Sequence, residues 1–161
     1  MPPMIICQSV TNPDILEEIF YLRSRVFVEE QGVSPDEEFD DYEETSTHWA
    51  ASLEDQVIAC ARHRQTEKGY KIERMAVEQE FRGQGVGRQL LLQILETLLP
   101  EIAKLQESAG DGHTLDIYLH AQVQAMPFYL GLGFAQVGEL FYEANIPHYR
   151  CIYQSLVDEV S

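Results

Sequence analysis

The feature that most constrains this chain is an apolar strand, a glycine-rich turn and a long apolar helix in close succession. The strand ends at residues 72–77, and the helix is predicted from about Gly85. Gly83, Gly85 and Gly87 alternate through the turn, so no Cβ atoms keep a ligand away from the backbone there. The helix directs its free N–H groups and the positive end of its dipole toward the same place. The sequence therefore predicts an anion site, and phosphate is the usual anion at a helix start.

Two common phosphate motifs do not fit this turn. A Walker motif ends in Gly-Lys-Ser/Thr, and the third glycine here comes one residue too early for the dinucleotide fingerprint. Arg82 and Arg88 flank the turn with positive charge in a chain that is otherwise acidic. An ordinary glycine-rich connection between a strand and a helix is the alternative interpretation.

Composition indicates one soluble globular domain over residues 1–161. The chain has 161 residues, of which 45% are hydrophobic and 24% charged, enough for a sizeable core. Its formal net charge of −16 argues against nucleic acid or an anionic membrane as a partner, because no basic surface can neutralise phosphates. An acidic protein can attract a cationic amine, although solubility alone also explains the charge.

The cysteines and the N-terminus indicate a cytoplasmic protein. Cys7, Cys60 and Cys151 are widely spaced and predict neither a disulfide framework nor a metal site. The start of the chain lacks the basic and apolar segments of a signal peptide, and no apolar run is long enough to cross a membrane.

Periodicity and turn residues predict an alternation of strands and helices. A helix should begin at the capping sequence around Asn12 and Pro13 and end near Glu30, before Gln31 and Gly32. Pro100 should kink, break or restart the long helix. Strands are predicted at residues 4–7, 48–53, 57–64, 70–77, 114–120, 134–137 and 148–153, a further helix at 123–132, and loops at 34–47 and 138–147.

The turn resembles the acyl-CoA signature R-x-x-G-x-G of the GNAT N-acetyltransferase superfamily. The resemblance implies an α/β (α+β) fold with a mixed, mostly antiparallel sheet of six to seven strands and helices on both faces. It also implies that the fourth and fifth strands splay apart to admit acetyl-CoA, which is the co-substrate, with no metal. The residues implied in CoA binding are Met75, Ala76, Val77, Arg82, Gly83, Gln84, Gly85, Val86, Gly87, Arg88 and Phe128.

A second resemblance concerns the catalytic acid. Residues 125–134 are similar to the family segment A-x-x-F-Y-x-x-x-G-F, in which the tyrosine can protonate the leaving thiolate. That residue is Tyr129 here, and a buried core tyrosine is the alternative.

Glu73 is the candidate general base, since several family members place a carboxylate on the strand that leads into the CoA turn. A solvated residue or a salt bridge with Arg74 or Lys71 explains Glu73 equally well, and Glu30 and His120 are further candidates. A backbone N–H near Ala76 or Val77 is implied as the oxyanion donor.

The acceptor side resembles the ElaA/YjcF-type branch of the family. The resemblance lies in residues 22–32, the acidic segment that follows, and residues 141–148, where Asn145 replaces the usual glycine. Each candidate also has a structural alternative, such as pairing of Arg23 with the acidic segment. The candidates for the acceptor pocket are Arg23, Glu30, Asp40, Asp41, His48, His120 and His148.

These observations predict an N-acyltransferase that moves acetyl from acetyl-CoA to the primary amine of a small molecule. Acyl-homoserine lactone synthesis is a second enzyme hypothesis, because that family shares the fold and a similar first helix. A non-catalytic acyl-CoA-binding module is a third. Exposed edge strands in this fold also permit a homodimer.

Overall fold

The computed structural model describes residues 3–154. Its strands are Ile5–Val10 (β1), Thr47–Leu53 (β2), Gln56–Thr66 (β3), Gly69–Val77 (β4), Asp116–Gln122 (β5), Phe134–Glu143 (β6) and Ile146–Tyr153 (β7). Its α-helices are Pro13–Arg23 (α1), Pro35–Glu38 (α2), Val86–Ala109 (α3) and Met126–Leu130 (α4). A π-helical segment occupies Ser24–Glu30, and 3-10 turns occupy Gln79–Phe81, Gly110–Gly112 and Val123–Ala125.

The strands are hydrogen-bonded in the order β1-β2-β3-β4-β5-β7-β6. β4 and β5 run parallel, with residues 69–72 opposite residues 116–119. The pairs β1–β2, β2–β3, β5–β7 and β6–β7 are antiparallel. The predicted mixed, mostly antiparallel sheet is therefore confirmed, with seven strands among residues 3–154. The splayed cleft stays a prediction.

Backbone contacts divide the chain into two compact units. The first unit consists of two segments, the chain up to Arg64 and Glu73–Thr97. Its core combines buried apolar residues from the first helix with those of the strands. They are Val10, Ile19, Leu22, Val26, Ala50, Val57, Cys60 and Ala76. Ile19, Leu22 and Val26, which are spaced three and four residues apart, form the inward face of this helix.

The second unit comprises Gln65–Ile72 together with the chain from Leu98 onward. One face of β5 buries Ile117, Leu119 and Ala121. α4 packs on the same layer, because the Cys151 thiol of β7 lies 3.5 Å from the Met126 sulfur. A single domain over residues 1–161 stays a prediction.

The first helix begins as predicted but changes its winding before it ends. The Asn12 side chain caps α1 by accepting a hydrogen bond from the Asp14 amide at 2.8 Å. From Ser24 the helix is π-helical, and the Gln31 amide donates to the Val26 carbonyl five residues back. Gly32, at φ +74°, lies just past its end, in agreement with the predicted end.

Pro100 neither ends nor restarts the long helix, which runs without interruption over Val86–Ala109. Proline removes the hydrogen bond to the carbonyl four residues earlier, which belongs to Glu96. Both residues are exposed, so water can bond that carbonyl. Val86, Leu90 and Ile94, at four-residue spacing, lie on the buried face of the helix.

The loop predicted at residues 138–147 is wrong, because β6 extends to Glu143 and β7 begins at Ile146. A two-residue turn joins them, with Ala144 at φ +49° and Asn145 at φ +63°. Positive φ at both turn positions matches the twist of a hairpin, so the strands can remain paired. The helix predicted at 123–132 is shorter than expected, because its α-helical part is only α4. The loop predicted at 34–47 also needs correction, because it contains the short helix α2.

Candidate active site

The glycine-rich turn presents an open stretch of backbone. Gly83 and Gly85 have φ angles of +77° and +83°, and a Cβ atom built at either would meet no atom within 4 Å. L-residues with side chains rarely adopt these angles. The two glycines therefore serve the shape of the turn and leave its outer surface accessible.

Helix α3 starts directly at this turn. The Gln89 amide donates to the Gly85 carbonyl at 3.0 Å, which is the hydrogen bond that opens the helix. The amides of Val86, Gly87 and Arg88 lie in the first turn, where the helix supplies no acceptor for them. The Val86 side chain is buried and holds the helix start in place. These amides and the dipole of a 24-residue helix favour an anion here.

The two arginines that flank the turn differ in their partners. Arg82 donates to the Val77 carbonyl at 2.9 Å and forms a salt bridge with Glu30, also at 2.9 Å. Arg88 is exposed and forms no ion pair within residues 3–154. Arg82 therefore braces the turn, whereas Arg88 keeps its charge available for a ligand. Glu30, a candidate for the acceptor pocket, lies beside the CoA turn through this salt bridge.

Strand β4 leads into the turn with a local irregularity. Arg74 has φ +58°, a conformation that interrupts the regular pleat of a strand. Ala76 is buried, while Met75 and Val77 are partly exposed. This irregularity lies directly before Ala76 and Val77, the candidate oxyanion donors.

Tyr129 lies in the short helix α4 among aromatic rings. Its ring meets Phe128 edge-on at 5.0 Å and Phe134 at 5.9 Å between centroids. Burial raises the pKa of the Tyr129 hydroxyl above its ordinary value. The hydroxyl makes no hydrogen bond to other residues in the described part of the chain, so at neutral pH it is a protonated donor with no acceptor.

Glu73 belongs to a group of four arginines and four carboxylates, called here the arginine–carboxylate cluster. Its members are Arg23, Glu38, Asp40, Glu43, Arg62, Arg64, Glu73 and Arg74. The Glu73 Oε1 atom accepts hydrogen bonds from Arg62 Nη2 at 3.0 Å and Arg64 Nε at 2.8 Å. The salt-bridge interpretation of Glu73 therefore has support, with Arg62 and Arg64 among its partners.

Arg23 pairs with the acidic segment. Its side chain is 1% exposed, and its guanidinium reaches Glu38 at 2.7 Å and Glu43 at 2.8 Å. The Phe39 ring lies 4.9 Å from the guanidinium carbon and adds a cation–π contact. This pairing is the structural alternative for Arg23, and contact with an acceptor stays a prediction.

Asp40 is held between Arg62 and Arg74, at 2.8 and 3.1 Å. Burial raises the pKa of Asp40, but the hydrogen bonds from Arg62 and the Tyr42 amide outweigh it and lower that pKa to about 2. Asp41, next in the chain, is exposed. Some carboxylates of the acidic segment therefore belong to the arginine–carboxylate cluster, and others lie on the surface.

His48 is buried and neutral. Its Nε2 atom lies 2.8 Å from the Glu43 carbonyl, which can only accept, so Nε2 carries the hydrogen. Burial lowers the pKa of His48. Its Nδ1 atom is buried without a hydrogen-bond partner. A role for His48 in acceptor binding stays a prediction.

His120 and His148 both contact Phe141 in the second unit. His120 Nδ1 is 2.6 Å from the Glu143 carboxylate, and its ring meets Phe141 edge-on at 4.9 Å. The His148 ring stacks on the Phe141 ring, at 5.9 Å between centroids. The structure thus brings these two candidates together, around an aromatic residue that the motif placed nearby.

Several polar residues at these sites were not among the candidates that the sequence indicated. Arg62 and Glu38 are buried ion-pair members, and Glu143 and Arg150 surround His120. A usable signal exists for Arg62, since it directly follows the buried apolar run at residues 57–61. A charge in such a position is rarely buried without a partner.

Residues 3–154 contain no group of three or more side chains arranged to hold a metal ion. None of the helices in that range combines the length and hydrophobicity needed to cross a bilayer.

Comparison with known proteins identifies the family. A model of the acetyltransferase (GNAT) domain matches residues 15–152. The uncharacterized N-acetyltransferase YjcF of Bacillus subtilis (strain 168) is 33% identical over 138 residues, 85% of this chain and 91% of YjcF. Protein ElaA of Escherichia coli (strain K12) is 32% identical over 139 residues, 83% of each protein. The crystal structure of Escherichia coli ElaA aligns with a TM-score of 0.77 and 28% identity, covering 94% of this chain and 100% of that one. The chain therefore belongs to the GNAT acetyltransferase family, and its similarity to YjcF and ElaA confirms the predicted branch.

Proposed function

We propose that this protein is an N-acyltransferase that transfers acetyl from acetyl-CoA to the primary amine of a small molecule. The observation that carries the proposal is the turn from Arg82 to Gly87 at the start of α3. Its positive-φ glycines, its free helix-start amides and the unpaired Arg88 are the features that a pyrophosphate needs. The proposal includes the cytoplasmic location that the sequence predicts.

Direct transfer requires groups that move protons and stabilise charge. The ammonium of the acceptor loses a proton to a base, and the nitrogen lone pair then attacks the thioester carbonyl carbon. As the C–N bond forms, the carbonyl oxygen becomes an oxyanion, for which an amide of Ala76 or Val77 is the donor. The C–S bond then breaks, and the thiolate takes the hydroxyl proton of Tyr129. A second proton leaves the acylated nitrogen for solvent.

The cysteines support attack without a covalent enzyme intermediate. A cysteine nucleophile must ionise readily. Burial raises the pKa of Cys60 to about 12 and raises that of Cys151. Cys7 lies on β1, and burial raises its pKa as well. The acceptor nitrogen is therefore the nucleophile in this proposal.

Glu73 is the proposed base, and His120 is the second candidate. Two guanidinium groups favour the ionised form of Glu73, which is the form a base needs, but they also weaken its attraction for a proton. His120 donates from Nδ1 to Glu143 in its neutral form, which leaves a lone pair on Nε2. Within residues 3–154, that Nε2 atom has no hydrogen-bond partner.

Calorimetry with acetyl-CoA and S-acetylpantetheine tests the proposal. The two ligands share the thioester, but S-acetylpantetheine lacks the pyrophosphate, so acetyl-CoA should bind at one site per chain and far more tightly. Equal affinities, or no heat with acetyl-CoA at micromolar protein, would contradict the proposal. A CoA-release screen over small amines then tests turnover, and binding without release for every amine would favour a non-catalytic module.

Tyr129→Phe should lower kcat by about 100- to 1,000-fold, within the range for loss of a general acid. The acetyl-CoA dissociation constant should change little, because the ring and its aromatic contacts remain. Steady-state kinetics with any amine active in the screen, together with calorimetry, measure both quantities. An unchanged kcat would remove Tyr129 from the mechanism, and a matched loss of affinity would make its role one of binding.

A further inference from the structure

A recess in the second unit has the composition of a ligand site, and its lining includes His120, the second candidate base. It has a volume of about 390 Å³ and is lined by His120, Val137, Gly138, Glu139, Phe141 and Arg150. That volume suits a small molecule. Polar groups from β5 and β7 face apolar side chains from β6, a combination that can orient a ligand as well as bury it.

The recess exists because β6 leaves the regular ladder for a few residues. The register with β7 shifts between Val137 and Phe141, and Gly138 has φ +79°. On either side of the shift, Val137 pairs with Arg150 and Phe141 pairs with His148. Side chains directly opposite in a ladder share a face, so Val137 and Phe141 lie on the face that carries Arg150.

The same register brings His120 beside Arg150. These residues are directly opposite on β5 and β7, so their side chains project from the same face. The Glu143 carboxylate and the edge of Phe141 fix the His120 ring. One cross-strand row therefore contains an imidazole, a guanidinium and the Val137 side chain.

Arg150 has donor capacity that its neighbours do not use. Its Nε atom is buried and has no hydrogen-bond partner among residues 3–154. Its Nη2 atom lies 4.0 Å from the Asp116 carboxylate, a distance too long for a hydrogen bond. The centre of the Tyr118 ring lies 5.0 Å from the guanidinium carbon and makes a cation–π contact with it. A buried donor without an acceptor is costly, so this geometry favours a ligand that accepts hydrogen bonds.

We propose that this recess binds the acceptor through a carboxylate group on Arg150, so that the substrate is a small amino acid or another amine that carries a carboxylate. The inference rests on the proposed acetyl transfer and adds the class of acceptor. A carboxylate can accept from the two Nη groups of the guanidinium together. Glu139 in the recess and Glu143 beside it oppose a more highly charged phosphate, while Val137 and Phe141 contact the carbon chain.

Paired acceptors provide the test. Glycine, β-alanine, 4-aminobutyrate, alanine, valine and leucine are each compared with the corresponding amide, with O-phosphoethanolamine as the phosphate probe. CoA release gives kcat/KM, and calorimetry on the CoA-saturated protein gives affinity. The acid of at least one pair should exceed its amide by about 10- to 100-fold, as expected for charge-assisted hydrogen bonds. The inference would be overturned if no acid binds, if each acid and its amide give equal kcat/KM and affinity, or if the phosphate probe is preferred.

Two variants assign the effect to Arg150. Arg150→Met should remove the preference for the acid without changing acetyl-CoA affinity. Val137→Glu should do the same by pairing an internal carboxylate with Arg150, and an opposite-charge pair across the ladder is compatible with folding. Gln136→Glu is the matched control, since it adds the same charge one residue away on the other face. An acid preference that survives in both variants would exclude Arg150 as the anchor.

Failure of the carboxylate site and failure of acetyl transfer would give different results. Loss of acetyl-CoA binding by the unmodified protein would contradict acetyl transfer itself. Acetyl-CoA binding and turnover with neutral amines, with no preference for acids, would leave the transferase intact and remove only the carboxylate site.

Discussion

Gly85→Val should weaken acetyl-CoA binding by about 100- to 1,000-fold while the protein stays folded. The valine Cβ would project into the open side of the turn, where the native structure has no atom within 4 Å. It would also disfavour the φ of +83° that directs the helix-start amides. Loss of two hydrogen bonds to a charged group, at about 1.5–3 kcal/mol each, accounts for an effect of this size.

The matched control for this variant is Gly32→Val. Gly32 also has a positive φ, +74°, and also has no atom within 4 Å of a built Cβ. It lies just after the π-helical segment, away from the turn in sequence, so it carries the same backbone strain without the predicted ligand contact. Thermal unfolding should shift similarly in both variants, and calorimetry should show weaker binding only for Gly85→Val. Equal affinities in the two variants would contradict the pyrophosphate site.

The shape of the glycine-rich turn could be predicted from sequence because its determinants are local. Gly83, Gly85 and the helix start lie within a few residues of one another, so spacing alone fixes their relation. The hairpin at Ala144 and Asn145 is also local, yet it was predicted as a loop. An alanine at positive φ is uncommon, and neither residue has the glycine that usually marks such a turn.

The acceptor side was less predictable because its contacts are long-range. Arg62 meets Asp40 across 22 residues of sequence, and His120 meets Glu143 across 23. Neither pair follows a spacing that a helix or strand imposes, so their partners depend on the tertiary fold. The sequence indicated acidic residues and histidines as a group, but not which arginine each would meet.

Pro100 shows a different limit of sequence reasoning. Proline disfavours a helix interior through a lost hydrogen bond and a steric clash. Here the helix continues, since Leu98 and the preceding inward residues are fully buried and Pro100 is on the exposed side. Tertiary burial of the apolar face outweighs the local cost, and the sequence alone does not give that balance.

Arg62→Met should lower the free energy of unfolding by about 3–5 kcal/mol, the range for removing one partner of a buried ion pair. The Arg62 side chain is fully buried and binds Asp40 at 2.8 Å, Glu73 at 3.0 Å and Glu43 at 3.0 Å. Methionine keeps much of the side-chain volume but leaves the cluster with one uncompensated negative charge. Urea unfolding monitored by circular dichroism gives the free-energy difference.

The control is Arg25→Met, which breaks a salt bridge with Glu78 but removes a side chain that is 45% exposed. Exposed pairs contribute about 1 kcal/mol or less, because water solvates the remaining charge. Adding Asp40→Asn to Arg62→Met should recover part of the loss, since it restores the balance of charge in the cluster. This recovery distinguishes a buried uncompensated charge from a packing defect, which a second substitution would only worsen. Equal losses for Arg62→Met and Arg25→Met would show that the cluster is solvated like a surface pair.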